Sequence, residues 1–318
     1  MDMMPNDFQE KISMSKKMIF SGLSDAGKTS INRTLKNDII GTALVKPTYL
    51  VDRSIFKYLD YEILQHDMGG QKKYLINYLK EPGNFFSKTD VCIYVIDIID
   101  DKRYEESLEF FGNMLNKFDE IEVVPSIWIL FHKAEKYLFE ADEEQAATID
   151  GLREKFLATN ANRFKIEFEA TSVYDRWGLS RVFARIFQSL YPRNELVVEL
   201  LKTIATTVNA SAAVLLDDQL LPLADYTDGT DMEKIIKTTA PYLFKIEEGI
   251  EALRPTWKRW IKLEVDDIDI IYLEIPQEED KKQLHLYLIG ELGTLESAAI
   301  LPQIGSQLFE LLQTLYAP

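Results

Sequence analysis

The sequence predicts an α/β domain built on a mostly parallel six-stranded sheet, followed by a smaller α+β domain. Three observations predict it. From Lys16 to about Tyr191, apolar strand-like runs alternate with segments of helical periodicity, the pattern of a sheet with crossover helices. Within that region Met18-Ile19-Phe20-Ser21 opens into Gly22-Leu23-Ser24-Asp25-Ala26-Gly27-Lys28-Thr29, a strand-to-helix turn of the form GxxxxGK[ST]. After Pro192-Arg193-Asn194 the chain turns to short strands with period-two alternation. A length of 318 residues has room for two domains, and 46% apolar content can fill their cores. The expected divisions are an N-terminal extension at 1–15, a first domain at 16–193 and a second at 194–318.

In the first domain, strands are expected at Lys17 to Phe20, Val51 to Leu59, Glu62 to Gln65, Val91 to Ile96, Ser126 to Phe131 and Lys165 to Glu169. Helices are expected near Lys28 to Asn37, Gln71 to Lys80, Tyr104 to Phe118, Glu143 to Ala158 and Gly178 to Leu190. The second and third strands have almost no connection between them, so they should form an antiparallel hairpin within the parallel sheet. In the second domain an amphipathic helix, Glu195 to Val208, precedes strands at Ala213 to Leu215 and Leu221 to Tyr226 and a helix from about Asp231 to Leu253. Ile261, Leu263 and Val265 alternate with Lys262 and Glu264, and Leu284, Leu286 and Leu288 alternate with His285 and Tyr287. Such alternation predicts strands with one buried face. Ile268 to Ile275 is their partner, and the stripe Ile304, Leu308, Leu311, Leu312, Leu315 forms a closing helix.

Charge and composition exclude several functions. A formal net charge of −16 argues against a nucleic-acid partner, which needs a basic surface. The single cysteine, Cys92, lies in an apolar run and reads as a packed core thiol, so no disulfide framework is expected and a cytoplasmic setting fits. No apolar run reaches the length of a spanning helix, and neither Asp2 nor the ending Tyr316-Ala317-Pro318 suits a lipid anchor. Membrane association would have to come through a partner.

The turn at Gly22 to Thr29 carries the first chemistry. Its backbone N–H groups can converge on a phosphate, and the following helix adds the positive end of its dipole. Lys28 would reach the β- and γ-phosphates, and Thr29 would offer a hydroxyl to Mg²⁺, with Ser24, Asp25, Ala26, Gly27 and Ser30 completing the cradle. Thr48 lies ahead of the hairpin, where a threonine can bind Mg²⁺ and sense the γ-phosphate. Asp67-Met68-Gly69-Gly70-Gln71 follows the third strand. There Asp67 would hold Mg²⁺ through water, the Gly70 amide would meet the γ-phosphate and Gln71 would orient an attacking water. The strand ending Phe131-His132-Lys133-Ala134-Glu135 stands where an NKxD guanine-reading motif is expected, with His132 and Glu135 in place of Asn and Asp. Ser172 and Val173, after the last strand, would bring a backbone amide to the guanine O6. His66 reads as a packing or solvent-facing residue, and Asp97, Asp100 and Asp101 as a solvated loop capping the next helix.

At GLSDAGKTS (Gly22 to Ser30), DMGGQ (Asp67 to Gln71), FHKAE (Phe131 to Glu135) and TSVYD (Thr171 to Asp175) the chain resembles the Rag/Gtr family of GTPases. The resemblance covers nearly the whole chain. It implies a P-loop GTPase domain with a roadblock- or longin-like domain behind it, GTP or GDP and Mg²⁺ as ligands, and slow GTP hydrolysis. It also implies pairing through residues 194–318, as a homodimer or as a heterodimer with a related GTPase, and a roadblock-type scaffold or a GTPase-activating protein as further partners. Two other readings are an Arf-like GTPase with an unrelated appendage, and a scaffold that binds nucleotide and scarcely hydrolyses it. The departure at Glu135 adds one methylene to the guanine-reading carboxylate and can alter selectivity. No arginine is identifiable in cis. Ser24 and Asp25 stand where many small GTPases keep glycines, so an activating partner is expected to order Gln71 or the segments around it rather than insert an arginine past Ser24.

Overall fold

The computed structural model describes residues 16–35, 48–58, 61–190, 194–217, 222–229, 260–275, 284–291 and 301–316, with scattered helical positions between 234 and 249. The chain divides into two compact units, Met1–Val182 and Phe183–Pro318.

The first unit holds a six-stranded sheet in the order β2-β3-β1-β4-β5-β6. Its strands are β1 (Lys16–Ser21), β2 (Val51–Tyr58), β3 (Tyr61–Met68), β4 (Val91–Asp97), β5 (Ser126–His132) and β6 (Ile166–Thr171). Only β2 runs antiparallel, paired with β3 from Val51↔Met68 to Tyr58↔Tyr61, as the short connection requires. The central strands β1 and β4 are buried on both faces, which explains their unbroken apolar runs. The helices are α1 (Lys28–Leu35), α2 (Lys72–Lys80), α3 (Pro82–Phe85), α4 (Tyr104–Glu120), α5 (Glu135–Glu140), α6 (Glu143–Asn160) and α7 (Arg176–Leu190), within which the division between units falls. A 3₁₀ turn, Asp101–Arg103, leads into α4. Tyr94, Phe111, Phe131 and Phe156 pack together between β4, β5, α4 and α6, with edge-on ring contacts such as Phe111 to Phe156 at 5.0 Å. Cys92 lies within this buried core, its thiol 3.9 Å from Met114 Sδ, and burial pushes its pKa far up.

Two short helices, α3 and α5, escape the periodicity because four to six residues are too few to show one. The expected starts and ends otherwise shift by one to three residues, and positions 36, 37 and 59 lie outside the described residues.

The second unit holds an antiparallel sheet, β8-β7-β11-β10-β9. Its elements are α8 (Asn194–Thr207), β7 (Ala212–Asp217), β8 (Pro222–Thr227), β9 (Trp260–Val265), β10 (Ile268–Ile275), β11 (Leu284–Glu291) and α9 (Leu301–Tyr316). The expected helix from Asp231 is helical at its described positions, and the rest of it lies outside them, as does Leu221. The expectation of one buried face fails on β11, where Leu284 to Gly290 are buried throughout, His285 and Tyr287 included. As the central strand, β11 is flanked by β7 and β10 and covered on both faces. Its polar side chains are instead accommodated inside: Tyr287 meets the Thr239 hydroxyl, and His285 stacks on Tyr272 with ring centroids 5.0 Å apart. The edge strand β9 departs the other way, with Val265 52% exposed.

Candidate nucleotide site

The parallel register brings the C-terminal ends of five strands to one edge of the first sheet, where an open α/β sheet binds its ligands. Phe20 is level with Asp67, Asp97 with His132, and His132 with Thr171. The loop from Gly22 to Gly27 leaves β1 at this edge and returns into α1. Gly27 has φ +96°, and a Cβ there would lie 2.3 Å from His132 Cδ2. Glycine is required both for the turn and for the imidazole behind it. Asp25, exposed at the loop tip, holds φ +64°.

Lys28 is 5% exposed and lies along the loop rather than in solvent. Its Nζ donates to the Gly22 carbonyl at 2.9 Å and the Leu23 carbonyl at 2.6 Å. Burial lowers its pKa to about 8, against the raising influence of Asp67 and Asp25. The ammonium therefore has two neutral partners and is poised to exchange them for anionic oxygens.

Beside it, Thr29 Oγ1 donates to Asp67 Oδ2 at 2.7 Å and lies 2.9 Å from Thr48 Oγ1. Three segments distant in sequence thus deliver three hard oxygen donors to one point, a donor set that suits Mg²⁺. Asp67 is 1% exposed, so a cation there would meet a desolvated carboxylate.

Gly70 lies against the loop. A Cβ on it would fall 2.3 Å from the Leu23 carbonyl carbon and 2.3 Å from the Ser24 nitrogen, so only glycine permits the approach. Gln71 is the N-cap of α2, with extended φ −70° and ψ 139°, and its side chain makes no capping bond. The residues before and after the hairpin are tied together. The Leu50 carbonyl accepts from Gly69 N at 2.7 Å and from the buried Tyr78 hydroxyl, which also lies 3.2 Å from the Gly69 carbonyl.

At the other end, His132 Nδ1 lies 3.0 Å from Thr171 Oγ1. The ring is 2% exposed, and burial, with Lys133 nearby, lowers its pKa to about 4, so it is neutral at physiological pH. Lys133 adopts φ +64° and pairs its Nζ with Asp97 Oδ2 at 2.6 Å. This corrects the reading of Asp97 as a solvated cap, since its other oxygen accepts from Ile99 N at 2.9 Å. Asp100 occupies the N-cap of the 3₁₀ turn without a side-chain bond. Glu135 begins α5, and its Oε1 accepts from Ser172 Oγ at 2.6 Å. Ser172, fully buried, also accepts from Tyr174 N at 3.0 Å. The extra methylene of Glu135 therefore leaves the carboxylate anchored to the residue that follows β6, with its second oxygen turned to no partner among the described residues. Val173 is half-buried beside it. His66, on β3, is half-buried with its pKa lowered to about 4, by burial first and then by Lys17 and Arg53.

One site residue escapes sequence reading altogether. Arg103, from the 3₁₀ turn, donates through Nη1 to the Ser24 carbonyl at 2.9 Å, so an arginine does stand on the loop in cis. It belongs to no motif, and only the register of β4 beside β1 brings it there.

Every residue expected at the site and described by the structure lies at this edge. Together they gather the Gly22 to Gly27 loop with Lys28, the Thr29, Thr48 and Asp67 oxygens, and the Glu135 carboxylate along that edge. The chain is similar to several known proteins. Among curated proteins, the chain is 32% identical to ADP-ribosylation factor-like protein 3 of Chlamydomonas reinhardtii over 134 residues, 42% of this chain and 71% of that one. It is 31% identical to ADP-ribosylation factor-like protein alp41 of Schizosaccharomyces pombe over 119 residues, 37% of this chain and 60% of that one. Among solved structures, the small GTPase Arl6 BBS3 of Trypanosoma brucei, with a bound nucleotide analogue, superposes with a TM-score of 0.45 at 17% identity, over 55% of this chain and 96% of that one. The family model described as the Gtr1/RagA G protein conserved region matches residues 17–237, which spans the whole cradle and runs on into the second unit. A G-protein model over that stretch makes the chain a GTP hydrolase, and by it the chain belongs to the Gtr1/RagA family.

Proposed function

We propose that the chain is a regulatory GTP/GDP switch with slow intrinsic hydrolysis, pairing with a second GTPase through residues 194–318. The observation that carries the switch is the meeting of Thr29, Thr48 and Asp67 beside Gly70, because it joins the phosphate loop to both segments that a γ-phosphate would hold. Lys28 exchanges its loop carbonyls for β- and γ-phosphate oxygens, and the amides of residues 24 to 30 surround them. Thr29 and Thr48 would offer hydroxyls to Mg²⁺ and Asp67 its carboxylate, and the chemistry supplied there would be neutralisation of charge on the transferring group. The Gly70 N–H meets the γ-phosphate. Gln71, at the start of α2, orients the attacking water. No hydrogen bond among the described residues fixes its side chain, and an unfixed amide is consistent with slow turnover until a partner orders it. Glu135, oriented by Ser172, accepts from the guanine N1 and N2 donors, Lys133 flanks the base, and His132 braces the loop against Thr171. Ser172 and Val173 supply the amide for O6.

Pairing rests on the family resemblance and on β9, an edge strand with exposed Val265. Among the described residues no helix is long and apolar enough to cross a membrane, and a partner would bring the chain to one.

The test is direct. Nucleotide is extracted from the purified full chain, and single-turnover hydrolysis is compared for wild type and Gln71→Leu. Bound GDP or GTP, with hydrolysis reduced about tenfold or more in the variant, fits the reading; bound ATP, or no hydrolysis by either protein, overturns it. Light scattering on the full chain, alone and mixed with a family member, tests pairing.

A further inference from the structure

Arg103 ends the 3₁₀ turn ahead of α4, outside every motif the sequence displays. Its Nη1 donates to the Ser24 carbonyl at 2.9 Å and to Ser24 Oγ at 3.3 Å, while its Nε donates to Glu106 Oε2 at 3.2 Å. The guanidinium is thus held by α4 on one side and grips the loop with the other. Lys28 holds the carbonyls of Gly22 and Leu23, so three successive loop carbonyls are turned toward two cations. Arg103 is close enough for its charge to disfavour the Lys28 ammonium.

This grip has a geometric consequence. The described chain contains no cis peptide bond, so the C=O of Ser24 and the N–H of Asp25 point in opposite directions from one planar unit. Holding the Ser24 oxygen toward Arg103 aims the Asp25 N–H away from it. Asp25 lies in the left-handed region at φ +64°, a conformation that costs energy in a residue with a Cβ and persists only where its surroundings enforce it. On the other side of Ser24, the backbone of Gly70 closes against its nitrogen. Ser24 is therefore held through its carbonyl by an arginine and approached at its nitrogen by the segment expected to meet the γ-phosphate.

We propose that Arg103 is a positioning residue for GTP hydrolysis, fixing the Ser24–Asp25 peptide so that the Asp25 N–H faces the transferring phosphate. The inference rests on the reading of Gly22 to Thr29 as the phosphate loop of a GTPase. It also gives a physical ground for expecting no partner arginine past Ser24, because this chain's own guanidinium already occupies the hydroxyl and carbonyl there.

The test uses the full chain. Single-turnover GTP hydrolysis and the affinities for GDP and GTP are measured for wild type, Arg103→Ala and Arg103→Met, the last keeping the aliphatic stem without the donors. Arg103→Ala vacates the space of the guanidinium beside Ser24, where free methylguanidinium can be offered. Hydrolysis is expected to slow about tenfold or more in either variant with GDP affinity changed less than about threefold, and methylguanidinium is expected to restore part of the alanine variant's rate. Unchanged hydrolysis in a variant overturns the proposal. So does a parallel loss of GDP affinity without rescue, which a merely structural arginine would give. Should Arg103→Ala fail to fold, Arg103→Met decides by the same split between rate and GDP affinity. Absence of hydrolysis in the wild type is a separate result that overturns the GTPase reading, and this proposal with it.

Discussion

At the phosphate end of the site, Lys28, Arg103 and Gly70 engage main-chain atoms of residues 22 to 24, whereas at the base end His132, Lys133 and Glu135 engage the side chains of Thr171, Asp97 and Ser172. The difference decides where each end tolerates change. Main-chain atoms are the same whatever the residue, so the groups that approach them are constrained by size and charge alone, and glycine or lysine has no substitute. Side-chain pairs can be exchanged for others of similar reach. The departures from NKxD, at His132 and Glu135, fall at the base end, and each keeps a hydrogen bond, His132 to the last residue of β6 and Glu135 to the residue after it.

The comparison breaks first at Lys28. Lys28→Ala removes the ammonium that holds the loop carbonyls and can exchange them for phosphate oxygens, and nucleotide affinity, measured with a fluorescent GDP analogue, is expected to fall about 100-fold or more. A loss under tenfold would show that the phosphate end does not depend on this charge. Gly70→Ala comes next, since its methyl would meet the backbone of Leu23 and Ser24 at 2.3 Å. Displacing that segment is expected to weaken GTP relative to GDP by on the order of 2 kcal/mol, roughly 30-fold, read by competition binding.

The base end should give a smaller and differently shaped response. Glu135→Gln keeps an acceptor for Ser172 Oγ but turns an NH₂ toward the base, which suits the 2-carbonyl of xanthine better than the 2-amino group of guanine. The ratio of GDP to XDP affinity is expected to shift about tenfold toward XDP, and an unchanged ratio would remove Glu135 from base reading.

The smallest effects are in pH, and they separate the two ends by direction. Lys28 has its pKa lowered to about 8 in the free protein, and bound phosphates favour its charged form. Binding therefore takes up a proton once the free ammonium has begun to titrate, so affinity falls as pH rises, by about twofold at pH 8 relative to pH 7. Calorimetry in buffers of different ionisation enthalpy would detect the proton. His132 acts at the acid side. Its pKa is lowered to about 4 in the fold from 6.5, so between those values the unfolded chain binds the proton and the native one does not. Stability from this group is complete above about pH 6.5 and lost as pH falls toward 4, and His132→Gln should flatten that part of a denaturation profile.

Much of this architecture was legible because it repeats a period. The strands β1, β4 and β5 announce themselves as apolar runs, and GxxxxGK[ST] marks where the first of them ends. The β2–β3 hairpin follows from a connection too short to cross over. What stayed hidden lacks a local signal. Arg103 and the Asp97–Lys133 pair meet their partners only through the alignment of strands far apart in sequence, and Tyr78 reaches the Leu50 carbonyl only once the β2–β3 hairpin has formed. On β11 the alternation of Leu with His285 and Tyr287 suggested a wet face, yet a central strand covered on both sides buries them. Alternation reports side-chain chemistry, and burial depends also on which strands and helices surround it.

The bond from Gly69 N to the Leu50 carbonyl, with the Tyr78 hydroxyl closing on the same oxygen, has a mechanical consequence. Thr48 lies two residues before that carbonyl and Gly70 one residue after that amide, so the two groups expected to sense a third phosphate hang from a single fulcrum. Neither can swing far without dragging the other. Loss of the phosphate would then release one concerted motion with one relaxation time, and fluorophores placed at Tyr49 and at Lys72 would report it in synchrony.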